Sequence, residues 1–141
     1  LPGGSWLFSR LVGWMAPYSG TTGAHVRELA PGRCRITLRE RRRVRNHLGS
    51  IHAVALVNLG ELTTGLATLT ALPPGVRGIV LGLESRYEKK ARGRVTAACR
   101  TEVPEVEDHV EHRVRAEIRD RTGDRVAEVR AAWRLSPPEE G

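Results

Sequence analysis

Between Asn46 and Val76 the chain carries one charged side chain, Glu61. Gly49 and Ser50 open this stretch and Pro73-Pro74-Gly75 closes it. Ser50 is a good N-cap and the prolines are a firm stop, so the spacing predicts one long helix over about 50–72. Its apolar residues lie nearly all the way round. A helix of that kind is stable in water only when other elements cover it. The rest of the chain must therefore wrap this helix. The stretch is also long enough to cross a bilayer, which takes roughly 20 residues. Its threonines, with His52, Asn58 and above all Glu61 near the middle, argue against a transmembrane segment.

The wrapping material is β-strand. Residues 24–29 form one candidate and Pro31-Gly32 is a turn. From Arg33 the pattern has period two. Cys34, Ile36 and Leu38 face one way, while Arg33, Arg35, Thr37, Arg39, Arg41, Arg43 and Arg45 face the other, an arginine comb on a half-buried strand. After the helix come strand-like runs at about 78–90, 93–102, 109–119 and 125–135, with Asp120-Arg121-Thr122-Gly123-Asp124 as a hairpin turn. The last run changes phase, which a bulge near Glu128 would explain. Ahead of all this, about 5–16 reads as a short amphipathic helix ended by Pro17-Tyr18-Ser19-Gly20, without the cleavage pattern of a signal peptide. Residues 136–141 are a tail. One helix covered by antiparallel strands is an α+β layer solution, and 141 residues make a single domain, 1–141.

The formal net charge is +7, which raises nucleic acid, anionic lipid and phosphorylated ligands as partners. The excess is local. Residues 33–45 hold seven Arg and one Glu. That strand offers no interleaved aromatics for stacking on bases and no recognition motif, so a solvated strand face is favoured over nucleic-acid binding. Cys34 and Cys99 form neither a disulfide framework nor a metal-ligand pattern. Reduced packing thiols suit a cytoplasmic protein.

Glu61 has no basic residue within fifteen positions on either side. A buried carboxylate is costly unless paired, hydrogen-bonded or protonated, so burial here points to a base or nucleophile. Asn58, Thr64 and Gly65 lie at helical spacing from it and give a polar, small stripe. The helix start is the second candidate. Free backbone N–H groups there suit an anion or a developing oxyanion, and His52 sits among them. His52 and Glu61, nine residues apart, face opposite sides of one helix, separated by about 13 Å along it. A site using both needs two subunits.

Asn46, Gly49, His52 and Glu61 stand in the register of the hotdog-fold acyl-CoA thioesterases of the phenylacetate-pathway type, and the chain resembles them over about 24–135. Leu59-Gly60-Glu61-Leu62-Thr63-Thr64-Gly65 is similar to that family's helix around its acid. Glu84-Ser85-Arg86-Tyr87-Glu88-Lys89-Lys90-Ala91 looks closest to a hotdog branch of unknown function. The resemblance implies a sheet wrapped round the central helix, a homodimer or tetramer, and active sites at the dimer interface. It implies that Glu61 of one subunit attacks or activates water, while the Ala53 N–H of the other holds the thioester carbonyl, with Asn46 and His52 beside it. Gly49, Asn58, Thr64, Gly65 and Tyr87 would line the substrate. Coenzyme A would enter as substrate or ligand, its phosphates near Arg43, Arg45, Arg86, Lys89, Lys90 and Arg92, with no metal and no further cofactor. The chain departs from the pattern where the family has two glycines after the His, because here they are Ala53 and Val54. A non-catalytic acyl-CoA or fatty-acyl binding module is the first alternative. A hotdog dehydratase ranks below it: His47 stands fourteen residues before Glu61, but Leu48-Gly49 follows it where that group has Phe-Pro.

Overall fold

The computed structural model describes residues 24–39 and 51–139. The expected N-terminal helix, and Arg43, Arg45, Asn46, His47, Gly49 and Ser50, lie outside the described residues. The elements are β1 (Ala24–Ala30), β2 (Arg33–Leu38), α1 (Ala53–Ala71), β3 (Arg77–Tyr87), β4 (Val95–Arg100), β5 (Val110–Asp120) and β6 (Arg125–Ser136). The strands form one six-stranded sheet in the order β1-β2-β4-β5-β6-β3. Each neighbouring pair is antiparallel.

Alternation decides the faces. On β2, Cys34, Ile36 and Leu38 are buried while Arg33 and Arg35 are exposed, as the period-two pattern predicts. Their cross-strand partners Cys99, Ala97 and Val95 are buried with them. The core forms between this inner face and α1, where from Leu59 to Thr70 every helical residue except Glu61 is buried. Buried Thr63, Thr64 and Thr70 turn their hydroxyls back on the helix, whereas Thr68 Oγ1 has no partner among the described residues. Thr63 Oγ1 donates to the Leu59 carbonyl at 2.7 Å and Thr70 Oγ1 to that of Leu66 at 2.8 Å. The Gly32 N–H of the β1–β2 turn then donates to Thr70 Oγ1 at 3.3 Å, fastening the turn to the helix end. Ala53–Ala71 is apolar enough to cross a membrane, yet 72% of it is buried inside the protein, as a core helix requires.

Three details differ from the sequence expectation. The helix is capped by His52, whose Nδ1 accepts the Val54 N–H at 3.1 Å, and not by Ser50. The cause is that Ile51 is still held outside the helix, donating its N–H to the Ala91 carbonyl at 2.7 Å. The phase change in β6 arises at Val126, the residue skipped where β6 pairs with β5, two positions before Glu128. Glu61 is half-buried in the protomer and not enclosed, because it lies on the part of α1 that the sheet does not cover.

Candidate functional site

The helix start is built by three segments. Ile51 bonds to Ala91, His52 caps α1, and the Tyr87 hydroxyl at the end of β3 donates to the Ala53 carbonyl at 3.2 Å. Of the first-turn amides, the Val54 N–H is taken by the His52 ring and the Leu56 N–H by the His52 carbonyl. Among the described residues the Ala53 N–H has no acceptor. It stands at the positive end of the helix dipole, at an exposed position. The structure therefore brings His52, Ala53 and Tyr87 together. The His52 ring serves as a cap, with Nδ1 as acceptor. Val54, where the resemblance expects glycine, is 59% exposed.

Glu61 lies two turns further along α1. The preceding residue, Gly60, approaches β6 so closely that a Cβ there would strike the Val129 side chain. Val129 is paired with Ser85 of β3 on one side and Ala116 of β5 on the other, so this part of the helix crosses over β6. Ser85 Oγ is buried without a hydrogen-bond partner among the described residues. Asn58 is half-buried on the same helix face. Thr64 and Gly65 are buried. The Thr64 hydroxyl is committed internally, donating to the Glu61 carbonyl at 3.1 Å and accepting from Trp133 Nε1 at 3.4 Å.

The cations divide. Arg86, Lys90 and Arg92 are exposed. Lys89 Nζ is held between Asp120 Oδ2 at 2.8 Å and Asp124 Oδ2 at 2.7 Å, so it braces the β5–β6 hairpin. One buried carboxylate escaped the sequence reading. Glu128, 5% exposed, lies on the sheet face away from α1 among Arg130 at 2.6 Å, Arg125 at 3.2 Å and Arg115 at 3.5 Å. These guanidinium groups, Arg130 first, hold its pKa below the usual carboxylate range. The signal available was a Glu in the middle of an otherwise apolar run, Val126 to Val129, with arginines on both sides.

A layer of antiparallel strands packed round one apolar helix is the α+β hotdog class. Residues 4–135 match the model of a family described as a domain of unknown function, DUF4442, and the chain belongs to that family. None of the curated proteins matches it in sequence. Among solved structures it is similar to a structural-genomics target at 30% identity, covering 92% of this chain and 87% of that one with a TM-score of 0.78. It is also similar to a Pseudomonas aeruginosa protein of unknown function described as a probable thioesterase, at 24% identity, covering 94% of each chain with a TM-score of 0.81. A third, a Haemophilus influenzae thioesterase, is 17% identical and covers 86% of this chain and 84% of that one with a TM-score of 0.76.

Proposed function

We propose that this protein hydrolyses an acyl thioester of coenzyme A at a site shared by two protomers. The observation that carries the reading is the Ala53 N–H, without an acceptor among the described residues at an exposed helix start, in a fold shared with proteins described as thioesterases. This amide binds the thioester carbonyl and stabilises the oxyanion as it forms. Glu61 of the second protomer removes a proton from water as the water oxygen bonds to the carbonyl carbon. Collapse of the tetrahedral intermediate breaks the C–S bond, and the thiolate takes a proton. The products are the carboxylic acid and free coenzyme A.

The other expected residues keep graded roles. His52 holds the helix start in shape through its cap to Val54. Tyr87 fixes the Ala53 peptide and leaves a ring edge for the acyl chain. Asn58 lies beside Glu61, and Thr64 and Gly65 shape the helix behind it. The phosphates of coenzyme A fall among Lys90 and Arg92, which flank Ala91 beside the helix start, with Arg86 on β3. The free, buried thiols of Cys34 and Cys99 fit a reducing cytoplasm.

Glu61→Gln tests the reading. It should cut kcat on a panel of acyl-CoA thioesters at least ~10²-fold, the lower end for loss of a general base, with acyl-CoA affinity retained. Wild-type protein that binds acyl-CoA and turns none of them over would make it an acyl-binding module instead.

A further inference from the structure

The sheet face away from α1 holds two cationic hollows that differ in kind. The larger, about 1150 Å³, is arginine-rich, and most of its arginines stand beside a carboxylate, with Arg115 and Arg130 on Glu128, Arg119 on Glu117, and Arg33 and Arg35 on Glu28. The smaller, about 100 Å³, is lined by His25, Arg27, Thr37, Arg39 and Arg94. It contains no carboxylate, and among the described residues none of its three arginines has an ion-pair partner.

This small hollow is built into the strands. β1 carries a bulge between Val26 and Glu28 that leaves Arg27 as the extra residue. A bulge re-aims the side chain it carries, and here Arg27 Nε donates to Thr37 Oγ1 at 2.9 Å. Thr37 is only 8% exposed, so the anchor is rigid. That bond holds Arg27, which lines the hollow, by its Nε, and no described residue accepts from its Nη groups in an ion pair. Arg39 follows Leu38 and Arg94 precedes Val95, the pair that ends the β2–β4 ladder, and neighbouring strands lie about 4.8 Å apart. Like charges gathered so closely repel, and among the described residues no carboxylate pairs with them. The space equals about three water volumes. That is room for one tetrahedral oxyanion.

We infer that this hollow binds a phosphate group, either free phosphate or the monoester of a larger ligand. Planar guanidinium forks suit phosphate oxygens, and the Thr37 anchor makes one of them preorganised. The inference stands apart from thioester hydrolysis, since it uses none of those residues.

The test titrates the full-length, ¹⁵N-labelled protein with inorganic phosphate at low ionic strength, following the arginine Nε–Hε signals. Saturable shifts at Arg27 are expected. Arg94→Gln and Arg27→Gln should each weaken phosphate binding at least tenfold. Arg134→Gln, an exposed position on the same face outside the hollow, should leave it unchanged. Coenzyme A and its form lacking the ribose phosphate distinguish the sources. A tenfold gap between them that closes in Arg94→Gln assigns the site to a ligand-borne monoester, and equal affinities assign it to free phosphate. Shifts that do not saturate, or that fall equally in Arg134→Gln, would overturn the site.

Discussion

Gly60 lets α1 rest directly on β6, because any Cβ there would meet the Val129 side chain. Both residues are fully inside the core, so the helix has no room to retreat. Gly60→Ala gains helix propensity, worth up to about 1 kcal/mol, but overpacks this contact, which costs about 1–3 kcal/mol. The net result expected is lower stability, seen as a reduced midpoint in urea at unchanged slope. The neighbouring Glu61 shows how far single residues were legible. Its isolation among apolar residues was plain in the sequence, and it is the one unburied position between Leu59 and Thr70. Its degree of burial was not legible, because that depends on where the sheet ends beside the helix. Glu128 was missed for the complementary reason. Arg115, which helps enclose it, comes from another strand, and only the β5–β6 register brings them together.

At the scale of elements, the β5–β6 hairpin depends on one carboxylate. Asp120 Oδ1 accepts from the Thr122 hydroxyl at 2.6 Å, the Thr122 N–H at 3.0 Å and the Asp124 N–H at 3.2 Å. Lys89 reaches its other oxygen from the end of β3. These donors, Lys89 first and then Thr122, hold the Asp120 pKa well below the usual carboxylate range. A carboxylate depressed on folding stabilises the fold above its unfolded value of about 3.9. That contribution is lost as pH falls below this value towards the folded one. Lys89 is raised by the same bonds, so its share is present below its unfolded value of about 10.4 and is lost above it. Asp120→Asn should therefore melt earlier than wild type at pH 7. The gap should begin to shrink only below about pH 4 and go on shrinking as the pH falls further, as followed by circular dichroism. The hairpin itself was legible from Asp120-Arg121-Thr122-Gly123-Asp124. The helix start was legible only to within two residues, since the Ile51–Ala91 bond that delays it joins segments forty positions apart.

For the whole molecule, β3 is the strand that leaves the protomer incomplete. Among the described residues it ends the sheet, pairing with β6 on one side only. It spans eleven residues, with Ile79 60%, Leu81 54% and Leu83 40% exposed. A long, apolar, unpaired edge associates unless it is guarded, and the proposed two-protomer site needs an association beside α1. Leu83 and Tyr87 share the α1 side of the sheet, as their partners Ala131 and Ala127 show. A second β3 paired along this edge would extend the sheet and carry a second α1 alongside the first. The proposed site needs a pairing of this kind to bring Glu61 of one protomer to Ala53 of the other. Leu81→Lys introduces a charge on the exposed edge without touching the core or either site residue. It is expected to give a folded monomer with an unchanged circular-dichroism spectrum, half the mass by light scattering, and at least ~10²-fold lower thioester hydrolysis, matching the loss of the general base. A fully active monomer would show that Glu61 and Ala53 serve no shared site.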